Sequence, residues 1–212
     1  MRANPTCLIV CPASRSPRCS TPGDAFGGST ITWRIIEHEG VDAVTLRRVA
    51  AEQGLANGAV KPYFASKDEL LQAAYERAFE RTNERAVAAI GAVRGIEAVR
   101  RLCLEIMPLD EERRTEARIV VAFWERAVGN DRMATVYRRH TRQWMAELER
   151  RLAEGRADGQ VTTADSDAEI VDQLVWMMTG LQAMSRLAPE LATARRQRNA
   201  LENLLAGLAR AR

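Results

Sequence analysis

Residues 45–70, TLRRVAAEQGLANGAVKPYFASKDEL, constrain the fold more tightly than any other part of the chain. Thr45 reads as a helix cap, and Leu46, Val49 and Ala50 recur behind it at helical spacing. Gly54 breaks that helix where a tight turn calls for positive φ. A second, very short helix is expected over about 57–62. Ser66-Lys67-Asp68-Glu69 then reads as a capping box, opening a long helix through Leu70, Leu71, Ala74 and Ala78 toward Ile90. Two short helices across a glycine turn, locked by Val49, Leu55 and Val60, have the spacing of a helix-turn-helix.

A helix-turn-helix also needs an outward face able to approach base edges. Gly58 and Ala59 keep that face low, while Asn57, Lys61 and Tyr63 bring polar groups to it. Charge lends less support. Residues 29–85 hold eight Lys/Arg against nine Asp/Glu, so attraction to phosphate rests on where individual cations sit rather than on a bulk field.

Nothing outside this stretch argues for strands. Ala, Leu, Arg and Glu dominate, Gly and Pro thin out after residue 30, and no segment alternates apolar with polar residues. The expected fold class is all-α, with about nine helices. Residues 1–28, rich in Pro, Ser, Thr, Gly and Cys, are expected to form a disordered tail. Residues 29–75 would form a three-helix head, its first helix at about 29–39, and 76–212 a larger helical domain. In that second domain helices are expected at about 96–107, 111–128, 132–154, 165–187 and 189–209, with Pro108, 129–131, 155–159 and Pro189 between them.

Several function classes find no support. Three of the four cysteines, Cys7, Cys11 and Cys19, lie in the first twenty residues, Cys103 stands alone, and the two histidines, His38 and His140, are far apart. That is neither a disulfide framework nor a zinc site, and it offers an enzyme no nucleophile–base pair. We therefore expect no metal, no cofactor and no catalytic residues. No apolar run reaches membrane-spanning length, so the expectation is a cytoplasmic protein with no membrane partner.

With these residues in place, the head resembles the TetR family of bacterial regulators. The resemblance lies in the order and spacing of Thr45, Val49-Ala50, Gly54-Leu55, Gly58-Ala59-Val60, Tyr63-Phe64, Lys67 and Leu70-Leu71. It implies that Thr45 and Lys67 contact phosphate, that Arg47 reaches the groove from the first helix, and that Asn57, Ala59, Lys61 and Tyr63 line the recognition helix of a DNA-binding head. The chain departs from the family pattern in four places. Gly27-Gly28-Ser29-Thr30 open the first helix where the family has apolar and small residues behind a basic arm. Ala56 stands where a capping serine is usual, a loss of roughly 1 kcal/mol. Lys61 replaces a tyrosine, and Pro62 limits the length of the recognition helix.

The second domain carries Pro108-Leu109-Asp110 with Arg113-Arg114, followed by Phe123-Trp124, and in this it resembles the BetI-type subgroup. That resemblance implies an effector-binding domain. Met107, Phe123, Trp124, Tyr137, Trp144, Trp176 and Met177 are candidates to line a cavity for a small molecule, with plain core packing as the alternative. Apolar stripes on the last two helices, with Leu174, Met178 and Leu181 on one and Leu201, Leu205 and Leu208 on the other, are candidates for homodimerisation. The expected function is a ligand-responsive repressor, homodimeric on a palindromic double-stranded operator and released by a small-molecule effector. The near-neutral head keeps an alternative open: a small-molecule-binding protein of the same fold with weak or lost DNA binding.

Overall fold

A computed structural model describes residues 27–56 and 58–209. The expected tail up to residue 26, with Cys7, Cys11 and Cys19, and the candidate Asn57 lie outside the described residues. Those described form eight α-helices: α1 (Gly28–Glu39), α2 (Leu46–Glu52), α3 (Lys67–Ile90), α4 (Gly95–Ile106), α5 (Glu111–Val128), α6 (Asp131–Ala157), α7 (Asp167–Leu187) and α8 (Ala194–Leu208). A 3-10 turn, Val41–Ala43, sits between α1 and α2, and no strand occurs among the described residues. None of these helices is long and apolar enough to cross a membrane.

The chain forms two compact units. One takes in the described part of Met1–Arg81 together with Arg118–Thr135, the other Thr82–Ala117 with the described part of Val136–Arg212. This partition is discontinuous in sequence, unlike the linear division into 29–75 and 76–212. The end of α5 and the start of α6 join the first unit because they pack on the first half of α3. The Tyr75 and Phe123 rings stack there with centroids 4.0 Å apart. In the same unit α1 packs on α2, and Ile35, Ile36, Val49, Val60, Phe64, Leu70 and Leu71 are all buried. Arg81 lies over the Trp33 ring at 4.8 Å, a cation–π contact.

In the second unit α4 packs against α7 and α8. Val99, Leu102 and Ile106 are buried on α4, Ile170, Leu174 and Met178 on α7, and Leu201, Leu205 and Leu208 on α8. These residues recur at three- and four-residue spacing, so each helix turns one stripe inward. Each such leucine contributes about 1.5–3 kcal/mol. Pro108 stops α4, whose last carbonyls then lack intrahelical partners. Two buried amides supply donors: Gln182 Nε2 donates to the Ile106 carbonyl at 3.3 Å and Gln197 Nε2 to the Pro108 carbonyl at 3.3 Å. Asp110 opens α5 by accepting the Arg113 N–H at 2.9 Å. Partial burial opposes ionisation of Asp110, but the Arg113 N–H and guanidinium outweigh it and hold the carboxyl below its usual range.

Two helix boundaries differ from the sequence expectation by three residues or more. Gly155 does not end α6, which continues to Ala157. Its missing side chain instead admits a neighbour, since a Cβ there would meet Val161 Cγ2 at 3.1 Å. The helix is closed by Gly159, at φ +70°. The last helix starts at Ala194 rather than near Pro189, because Thr193 accepts the Arg196 N–H and caps it. A full capping box does form, at Ser166 and Glu169 at the head of α7.

Candidate nucleic-acid interface

Local chemistry within the head builds the candidate face. Thr45 Oγ1 accepts the Arg48 N–H at 3.0 Å, satisfying one of the orphan donors of α2. At the other end Gly54 adopts φ +65°. The Leu55 N–H donates to the Ala50 carbonyl at 2.9 Å and the Gly54 N–H to the Ala51 carbonyl at 3.0 Å. This pair is a Schellman closure, and it sets the direction in which the chain leaves α2.

The expected recognition helix at 57–62 is not a regular α-helix. Residues 58–63 form consecutive turns, held by Ala59 N–H to Ala56 C=O (2.9 Å), Lys61 N–H to Gly58 C=O (3.3 Å) and Tyr63 N–H to Val60 C=O (3.0 Å). Pro62 brings no N–H to an i→i−4 ladder, Gly58 carries the entropic cost of any helical glycine, and Ala56 has no side chain to cap with. The segment is nevertheless two-sided. Val60 and Phe64 are buried, whereas Ala59, Lys61 and Tyr63 point out with Gly58 and Pro62.

Most charges around this face are already engaged. Arg48 pairs with Glu39 at 2.6 Å and Glu52 at 2.8 Å. Asp68 pairs with Arg126 at 2.8 Å, and Glu69 faces Arg132 at 3.4 Å. By contrast Arg47, Lys61 and Lys67 enter no ion pair among the described residues; the first two are exposed and Lys67 is half-buried in the first turn of α3. The capping box expected at Ser66 forms with a shift. Ser66 Oγ accepts the Glu69 N–H at 3.3 Å, but the Glu69 carboxylate accepts from Ala65 N–H at 2.8 Å, one residue ahead of the cap. The first unit thus carries Thr45, Arg47, Ala59, Lys61, Tyr63 and Lys67 on one short stretch, with Thr45 exposed and capping.

The candidate effector residues divide between the units: Phe123 and Trp124 belong to the first, and Met107, Tyr137, Trp144, Trp176 and Met177 to the second. Met107 and Phe123 are fully buried, Phe123 stacked on Tyr75, so both are core. Trp124, Tyr137, Trp144 and Met177 are half-buried, and the Trp144 indole N–H donates to Asn83 Oδ1 at 2.8 Å. Trp176 is 68% exposed, its indole facing water. The reason is register: it sits on α7 opposite the buried stripe of Leu174 and Met178.

The dimerisation candidates lie mostly inside the second unit. Leu174, Met178, Leu201, Leu205 and Leu208 are buried within the second unit, and only Leu181 is half-buried. The apolar surface that α7 does present is Trp176, Met184 and Leu187, with Gly180 between. Sequence reasoning missed it, although the spacing 176, 180, 184, 187 is itself helical.

An ion network in the second unit also escaped notice. Arg85 and Glu116 form a bidentate pair, both contacts at 2.6 Å. Glu105 accepts from Arg85 Nε at 3.1 Å and pairs with Arg113 at 2.6 Å, joining residues of α3, α4 and α5.

Comparison with known proteins agrees with this geometry. Residues 31–74 match the family described as bacterial regulatory proteins, tetR family, and residues 95–210 match the BetI-type transcriptional repressor C-terminal domain. The HTH-type transcriptional regulator PksA of Bacillus subtilis is 37% identical over 95 residues, which is 43% of this chain; the match spans 45% of that relative's length. A transcriptional regulator from Rhodococcus sp. RHA1 superposes with TM-score 0.75 at 21% identity, over 89% of this chain and 96% of its own. A transcriptional regulator from Saccharomonospora viridis, solved in complex with choline, superposes with TM-score 0.76 at 20% identity, over 84% and 93%.

Proposed function

The chain belongs to the TetR family of bacterial regulatory proteins, with a BetI-type C-terminal domain, and on that premise we propose that it is a homodimeric repressor of transcription released by a small molecule. Thr45, Arg47, Asn57, Ala59, Lys61, Tyr63 and Lys67 meet the operator. Thr45 and Lys67 take phosphates, and the outward face of 58–63 meets base edges. The observation that carries this reading is the set of three cations left out of the ion pairs that engage their neighbours: Arg47, Lys61 and Lys67.

One short reading segment contacts few base pairs, so a two-fold dimer on a palindrome doubles the contacts. The outer stripe of α7, Trp176, Gly180, Met184 and Leu187, is the surface on which two copies pair. Within the second unit the half-buried Tyr137, Trp144 and Met177 contribute to effector binding, and choline, bound by the Saccharomonospora neighbour, is the first compound to titrate. The protein acts in the cytoplasm, where its operator is.

Footprinting on DNA flanking its own gene tests the reading. A protected palindrome is expected; a folded dimer that protects none sinks it. The balanced charge of the head favours a second reading, a binding protein of this fold whose DNA affinity has decayed. Lys61→Ala and Lys67→Ala decide between them. Each removes one cation from both copies of the dimer, so it should flatten the dependence of log affinity on log salt by about 1.8 if each copy meets a phosphate, and leave it unchanged under the second reading.

A further inference from the structure

The first turn of α3 places Lys67, Asp68 and Glu69 in succession, directly after the reading segment. Lys67 suits a phosphate, but the two carboxylates beside it have the wrong sign for a polyanion. Left free, they would oppose both Lys67 and the positive end of the helix dipole.

Both carboxylates are occupied, and from the same side. Asp68 Oδ1 accepts from Arg126 Nε at 2.8 Å, and Asp68 Oδ2 from Asn130 Nδ2 at 3.4 Å. Asn130 is itself held, since its Oδ1 accepts the Met133 N–H in the first turn of α6. Glu69 Oε2 accepts the Ala65 N–H, and Glu69 Oε1 faces Arg132 at 3.4 Å. All these residues belong to the first compact unit. Arg126 is 48% exposed and Arg132 71%, and ion pairs that wet contribute little to folding. Their effect on an approaching polyanion is another matter, because each cancels a like charge next to the contact.

We propose that Arg126, assisted by Asn130, is a charge-masking residue for operator binding: it neutralises Asp68, so that the first turn of α3 meets phosphate through Lys67 unopposed. Arg126 acts through Asp68 and touches no DNA, which makes it a positioning residue. The inference rests on the DNA-binding reading above and adds to it a requirement from helix α5.

Operator affinity of the full-length dimer, measured by fluorescence anisotropy across a salt series, tests this with Arg126→Ala, Asp68→Asn and the double variant. Arg126→Ala should weaken binding by about threefold to tenfold, as one uncancelled charge near several phosphates does. Asp68→Asn alone should bind as well as the wild type or better, and in the Arg126→Ala background it should restore affinity. Arg126→Gln, which keeps most of the side-chain volume, should behave as Arg126→Ala does; circular dichroism confirms that each variant is folded. If Asp68→Asn weakens binding as Arg126→Ala does and the double variant is no better, the pair is only a structural tie. If Arg126→Ala flattens the salt dependence and Asp68→Asn does not rescue it, Arg126 is itself a phosphate contact. Either result overturns the proposal while leaving DNA binding intact. Failure of the wild type to bind any palindrome removes the DNA reading, and this inference with it.

Discussion

The head stretch from Thr45 to Phe64 and the terminal pair α7–α8 place their outward surfaces by different rules. In the head, local chemistry decides. A threonine cap, a glycine at φ +65° and a Schellman closure set, through contacts within ten residues, which side chains face outward. In α7 the apolar residues run round the helix. Leu174 and Met178 form one stripe, and Trp176, Met184 and Leu187 another. Nothing local distinguishes them; the choice falls to α4, which packs on one side only. A surface set by backbone chemistry can be read along the chain, whereas one set by tertiary packing cannot.

Substitutions at matched positions sharpen that contrast. Leu174→Ala empties a fully buried site against α4 and should cost about 2–5 kcal/mol in urea unfolding. A cost below about 1 kcal/mol would mean that the two stripes of α7 had been assigned the wrong way round.

Acid should separate the two units next. His140 of the second unit is buried, and that burial, followed by the neighbouring Arg139 guanidinium, pushes its pKa down from 6.5 to about 4. His38 of the first unit is exposed. The unfolded chain takes up the His140 proton first, so the stability present above pH 6.5 is lost as pH falls toward 4, by about 3 kcal/mol. Thermal melts of His140→Gln should show a shallower decline over that window. An unchanged slope would assign the acid sensitivity to other groups.

In the head, Gly54→Ala should cost about 1–2 kcal/mol, all of it backbone strain, since a Cβ at Gly54 meets nothing within 4 Å. Neutral behaviour would show that the turn relaxes and that its direction is not fixed by the glycine. The smallest effect on folding is expected from Trp176→Ser with Leu187→Ser, within about 0.5 kcal/mol, because these side chains are 68% and 82% exposed. Their effect should appear in association instead, as a shift toward monomer in analytical ultracentrifugation. A variant that stays dimeric moves the pairing surface elsewhere.

The same division governs how far the sequence could be read. Thr45, Gly54 and the apolar pair Val60 and Phe64 stand where their chemistry placed them. Of the segment expected to be helical over 57–62, residues 58–62 form a run of turns, because Gly58 and Pro62 weigh against the ladder more than the apolar period weighs for it. Gly155 looked like a terminator and is a packing site, a distinction that depends on Val161 and is invisible from neighbours in sequence. Arg126, Asn130 and Arg132 lie some sixty residues from Asp68 and Glu69, so no local pattern could have joined them.

The exposure of Trp176 has an optical consequence. The chain has four tryptophans, Trp33, Trp124, Trp144 and Trp176, and only the last stands largely in water. Its emission is therefore red-shifted and open to quenching by iodide, and the other three are shielded to differing degrees. Covering α7 by a second copy would move that emission to the blue without any label. A Trp176→Phe variant then leaves a background in which a change at Trp144 on adding choline tests the proposed effector site.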